Sequence, residues 1–187
     1  LGDYALPMLF IGAVCLFFTK NRLVNNVGRI VFGVGGIFFA LNLMSGAMEP
    51  LKDLQVFRDY MVQLSKSPIL GVFVGSGLTL LIQASSATIG ILQNLYASHL
   101  IDLKGALPVL FGDNIGTTIT AIIASLGANI AAKRVAGAHV AFNVIGTIIC
   151  LVFLVPFTSL IQWFETTLHL SPEMTIAFAH GTFNITN

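Results

Sequence analysis

Charge is the scarce ingredient of this chain. Only 9% of its 187 residues are Asp, Glu, Lys or Arg, while 56% are hydrophobic. A soluble domain carries about 25% charged residues, so this composition cannot furnish an ordinary water-facing surface. The nine Lys and Arg exceed the eight Asp and Glu by one, too small an imbalance to recruit nucleic acid. Cysteine is nearly absent as well. Cys15 and Cys150 are too few and too separate for a disulfide framework or a thiolate metal site, and both read as small apolar packing residues. Alternation of polar and apolar residues, which a membrane β-barrel requires, is missing from stretches such as "IVFGVGGIFFALNLM".

What the chain does contain is long uncharged runs, at 30–48, 67–101, 114–132 and 135–164. A helix needs about 20 apolar residues to cross a bilayer, and the 18 glycines suit membrane helices that pack closely. The class is therefore all-α, a polytopic membrane protein. A first hydrophobic stretch, 4–19, ends at a basic loop with Lys20, Arg22 and Arg29, and a span over 30–48 follows. All nine basic residues sit in connecting segments by this reading. Leu51, Leu54, Phe57, Met61 and Leu64 then recur three or four apart with charges opposite, the pattern of an amphipathic helix at the membrane surface.

The run 67–101 holds 35 residues. One span takes about 20 residues and two spans with a turn take more than about 40, so neither fits. A re-entrant helical hairpin does fit, and "QASSAT" (83–88) falls at its expected tip. Non-helical backbone at membrane depth is tolerated only inside protein or beside a wet cavity, which makes Gln83, Ser85, Ser86 and Thr88 candidate site residues.

The next segment, 105–132, is punctuated by Pro108, Gly112 and Gly116. "GDNIGTT" (112–118) gathers Asp113, Asn114, Thr117 and Thr118, and the spacing predicts a broken helix whose second half starts near Thr117. A further span is expected over 135–156, and another begins at Pro172. Two echoes run through this half: "AHVAFN" (138–143) returns as "AHGTFN" (179–184), and "GDNI" (112–115) returns weakly as "GANI" (127–130). The first pair hints at duplication.

These polar residues suit neither hydrolysis nor redox chemistry. Ser85 and Ser86 have no adjacent His or Lys to activate a nucleophile, and no organic cofactor motif is present, so an enzyme is not expected. Hydroxyl and amide oxygens, with carbonyls freed at a helix break, instead make ligands for a hard monovalent cation. Exposed N–H groups at a half-helix start hold an anion, and secondary transporters place broken helices near the bilayer midplane for this purpose. With no basic residue inside the runs, a bound anion needs co-bound cations to offset its charge. The pattern points to cation-coupled anion transport. Ser and Thr also serve as glue between membrane helices, but here they coincide with two expected breaks. His139 and His180 read instead as hydrogen-bonding partners of neighbouring helices.

"LLIQASSATIGIL", then "GDNIGTTIT", then "AGAHVAFN" together resemble the type II sodium-dependent phosphate cotransporter family, including its bacterial members. The resemblance covers roughly 68–187. It implies a sodium–phosphate symporter of two inverted repeats, each contributing a Q-S-S-S hairpin, in the cell membrane and, for the bacterial members, the inner membrane. Carried over by position, Gln83, Ser85, Ser86, Thr88, Asn114, Thr117 and Thr118 would bind phosphate. Sodium, the co-transported ion, would use Gln83, Ser85, Ser86, Asn114 and Thr118, with Asp113 a further candidate ligand. Ala84 departs from the motif at its first serine, and Asp113 stands where the family often has a small neutral residue. On this reading 1–66 is scaffold and surface helix, 67–132 carries the half-site, and 133–187 holds the following span and the start of a second repeat. Only one Q-x-S-S tip is present, so the second is expected from sequence beyond Asn187, or from a second copy of the chain in a homodimer. The rival readings are a symporter or exporter of another oxyanion, and a membrane sensor or assembly partner that keeps the fold without transporting.

Overall fold

The computed structural model describes residues 4–48, 50 and 53–187. Among these every regular element is a helix. The chain divides into two units, Leu1–Glu49 and Pro50–Asn187. Among the described residues, three helical stretches are long and apolar enough to cross a membrane: Arg22–Met44, Leu103–Ser125 and Ile130–Val152.

The first unit is an antiparallel pair, α1 (Ala5–Phe18) and α2 (Arg22–Met48). Small residues set their approach: a Cβ on Gly12 would lie 2.6 Å from the Phe32 backbone, and one on Gly35 2.9 Å from that of Leu9. With 14 residues, α1 is about 21 Å long, short of the hydrocarbon thickness of about 30 Å. Arg22 and Arg29 lie on α2 itself. The expectation that all basic residues fall in connecting segments is thus corrected, since α2 starts eight residues before the uncharged run at 30–48.

The second unit opens with α3 (Gln55–Lys66). Of the expected amphipathic stripe, Leu64 is buried and Met61 packs against the core, Leu54 is exposed, and Leu51 lies outside the described residues. The helical hairpin expected over 67–101 is present as α4 (Pro68–Ile82) and α5 (Ser85–Ala97), broken at Gln83 and Ala84. Gln83 is left-handed, with φ 56°, and Ala84 is extended, so the chain reverses over two residues. With 15 and 13 residues, the arms are about 22 and 20 Å long, and neither alone crosses the hydrocarbon.

The segment 105–132 departs from expectation. α6 runs without interruption from Leu103 to Ser125 through Pro108 and the whole of "GDNIGTT". Its glycines do not break the helix; they let α4 lie against it. A Cβ on Gly112 would run into the Val72 carbonyl, one on Gly75 into the Val109 carbonyl, and one on Gly71 would meet Pro108 at 2.8 Å. Positions 71, 75 and 79 face 108, 113 and 116, both series rising together, so α4 and α6 run parallel along a seam of small residues. The break falls instead at Leu126–Asn129, where Leu126 is extended and Gly127 has φ 77°.

α7 (Ile130–Val152) follows, then α8 (Leu154–Thr167) and α9 (Pro172–Thr186). The span expected over 135–156 therefore begins earlier and ends at Phe153. Lys133 and Arg134 sit within α7's first two turns and Lys104 in α6's first. Pro156 belongs to the first turn of α8, where a missing N–H costs nothing. Around α6 the core closes on Phe111, stacked on Phe183 of α9 at 5.0 Å and edge-on to Phe157 of α8 at 5.5 Å.

Candidate functional site

The start of α5 differs in one respect from those of α6, α7 and α9, and shares it with α8, where Phe153 makes no side-chain capping hydrogen bond. Asp102 caps α6 by accepting from Gly105 N–H, Asn129 caps α7 through Ala132 N–H, and Ser171 caps α9 through Met174 N–H. At α5 the capping position is Ala84, with no side-chain hydrogen bond. The first N–H groups of a helix have no intrahelical acceptor and carry about half a positive charge. The methyl group of Ala84 therefore leaves the donors of Ser85 and Ser86 without a side-chain cap.

That helix start opens into a cavity of about 260 Å³. Ser85 lines it from α5 and Asn114 and Thr117 from α6. His139, Phe142 and Asn143 come from α7, and His180 and Asn184 from α9. Three asparagines there share one local geometry. Asn114 Nδ2 donates to Leu110 O at 3.0 Å, Asn143 Nδ2 to His139 O at 2.9 Å, and Asn184 Nδ2 to His180 O at 2.8 Å. A carbonyl can only accept, so each amide nitrogen is committed to its own helix and each Oδ1 keeps its lone pairs for something else. Thr117 likewise donates to Asp113 O at 2.9 Å, leaving its oxygen as an acceptor. The cavity lining thus combines oxygen acceptors with Ser85, the first residue of α5.

Of the residues proposed from sequence, Ser85, Asn114 and Thr117 meet in this cavity. Gln83 and Ser86 are exposed and flank it in sequence, Gln83 donating its backbone N–H to Thr79 O. Thr118 is buried and turns back to Ile115 O at 2.7 Å. Thr88 lies buried one turn below Ser85, in a cluster with Thr79 and Asp113. Thr79 Oγ1 is 3.0 Å from Thr88 Oγ1 and donates to Asp113 Oδ1 at 2.6 Å. Asp113 is fully buried, and its Oδ2 has no hydrogen-bond partner among the described residues. It points away from the cavity lining, between α4 and α5, so its charge is not set directly against an anion at the helix start.

His139 and His180 belong to the cavity, although the sequence reading placed them as helix-packing residues. The repeated H-x-x-F-N letters were the signal. Its first and last positions are four apart, so both face one side of a helix, and here both copies present that side to the same space.

Against known families, the chain matches the Na+/Pi-cotransporters over residues 1–46 and 51–177. Protein YqeW of Bacillus subtilis, which has no assigned function, is 34% identical over 178 residues, covering 95% of this chain and 56% of that protein. YjbB of Salmonella typhimurium, provisionally named for inorganic phosphate export, is 26% identical, covering 95% of this chain and 32% of that protein. Sodium-dependent phosphate transport protein 2B of Homo sapiens is 28% identical over 115 residues, 58% of this chain and 17% of that protein. The chain spans about half or less of the length of these curated relatives. No solved structure matches it significantly. With nearly its whole length matched, the chain belongs to the Na+/Pi-cotransporter family.

Proposed function

We propose that this chain carries one half of the site of a sodium-coupled transporter of inorganic phosphate in a bacterial inner membrane. The cavity supports the reading by combining two complementary sets of groups. Ser85 and Ser86 N–H groups at the uncapped α5 start offer phosphate oxygens donors and a favourable helix dipole. The Oδ1 atoms of Asn114, Asn143 and Asn184, with the hydroxyls of Thr117 and Ser85, offer sodium a set of neutral oxygens. Among the described residues no Lys or Arg lines the cavity, so a phosphate bound there needs cations to balance it, and sodium supplies them. Each ion then raises the other's affinity by the same factor. Asp113, with an unmet oxygen beside Thr79 and Thr88, is a further sodium ligand one layer below. A second hairpin, from more of the same polypeptide or from a second copy, supplies the facing half.

Isothermal titration of the purified protein with inorganic phosphate, in sodium and in choline buffers, tests this. Phosphate binding is expected to weaken at least about tenfold without sodium, the size of an ordinary linkage energy. Asn114→Ala should weaken binding in sodium while leaving the residual choline value unchanged. Equal binding in both buffers would remove the coupling. The name of YjbB favours an outward direction, which phosphate flux in oriented vesicles distinguishes from uptake.

A further inference from the structure

The α1–α2 pair carries a second polar cavity, of about 650 Å³, lined by Thr19, Lys20, Arg22, Asn25, Asn26 and Arg29. Between residues 4 and 48 there is no Asp or Glu, so all three cations of this unit stand in one cleft with no acid among the unit's described residues to neutralise them. The cleft is built by periodicity. Arg22, Asn25, Asn26 and Arg29 are spaced three, four and seven apart, one stripe of α2. The turn is held by its own amides: Asn21 Oδ1 accepts from Leu23 N–H at 2.9 Å, and Asn25 Nδ2 donates to Leu16 O at 3.0 Å.

The surroundings are apolar. Phe17 and Phe18, immediately before the turn, are 82% and 83% exposed, and Leu23 and Ile30 on α2 are exposed too. An anion in the cleft therefore sits where cationic groups give way to a lipid-facing helix surface. Free phosphate would use only the cations. A phospholipid would use both features, its phosphate on the guanidinium and ammonium groups and its acyl chains against the exposed Phe, Leu and Ile side chains. Guanidinium forks suit phosphate oxygens in particular, and basic clefts beside membrane helices bind anionic headgroups.

We propose that the cleft at the α1–α2 turn is a binding site for the phosphate of an anionic phospholipid headgroup, independent of whatever the cavity of the second unit carries. The same cations acting only as interfacial anchors would favour negative membranes generally, without retaining a lipid molecule.

The test is native mass spectrometry of the protein extracted from vesicles of equal phosphatidylglycerol and phosphatidylcholine. Phosphatidylglycerol should remain bound in preference, and Arg22→Gln with Arg29→Gln should reduce its retention about thirtyfold, each cation near a headgroup contributing roughly fivefold. Equal retention of the two lipids, or retention unchanged in the double variant, overturns the proposal. Should the double variant fail to fold, Lys20→Gln in the exposed turn serves alone: about a fivefold loss supports the site, and no loss overturns it. Excess inorganic phosphate should leave the bound lipid in place. Displacement would assign the cleft to free phosphate and overturn the lipid reading.

Discussion

The segments 138–143 and 179–184 begin from the same H-x-x-F-N letters and end in different surroundings. Locally they are alike: Asn143 and Asn184 each donate to the histidine carbonyl four residues back, at 2.9 and 2.8 Å. Both histidines and both asparagines line one cavity. The phenylalanines part company. Phe183 is completely buried and stacks on Phe111, while Phe142 is 53% exposed and borders the cavity. The difference comes from neighbours rather than letters. α9 packs against α5, α6 and α8, so its Phe falls into the core. α7 meets mainly α6 and leaves a face of Ile145, Ile148, Ile149 and Val152 exposed.

The largest way to break that comparison is through the rings. Phe183→Ala should destabilise the protein by about 3 kcal/mol, the low end for Phe→Ala, because in a bilayer lost packing rather than water exclusion sets the cost. Phe142→Ala should stay within about 0.5 kcal/mol, as for other exposed positions. Chemical unfolding in detergent micelles measures both, and equal losses would dissolve the distinction between the copies.

A smaller effect sharpens the likeness. If both Oδ1 atoms serve sodium, Asn143→Ala and Asn184→Ala should each weaken sodium-dependent phosphate binding about tenfold, the scale of one hydrogen-bond-like contact to a charged group. Titration of sodium at fixed phosphate reads it out. A loss in one variant alone would mean that only one copy is a ligand.

The smallest effect separates anion from cation. His139→Gln and His180→Gln remove ring donors beside the helix start and should each weaken phosphate binding about threefold, as for a neutral hydrogen bond. Sodium binding measured without phosphate should not move. A matching loss of sodium affinity would place the rings on the cation instead.

The hairpin was legible in the sequence because two constraints met in one place. The length of 67–101 excluded one span and two, and its only hydroxyl-rich stretch sat at the midpoint. The break expected near Thr117 was not legible, because glycine in a membrane helix has two readings. Gly112 and Gly116 could interrupt the helix or admit a neighbour, and the choice rests with Val72, Ser76 and Thr79 of α4 pressed against them. Asp113 was ambiguous for a similar reason. Its rotation about α6 toward Thr79, away from the cavity, follows from where α4 docks.

Taken alone, the sequence determined the helical class, the membrane setting, a reversal within 83–88 and the oxygen-rich, base-poor composition of the candidate site. Each of these follows from composition, run length or the spacing of a few letters, which act within a turn or two of helix. Tertiary packing alone decided that α6 stays whole, that one Phe of the repeat is core and the other rim, and that His139, Asn143, His180 and Asn184 share a cavity with Ser85. Those outcomes depend on which helix backbones come within van der Waals reach, and close approach is a property of pairs of segments rather than of either one.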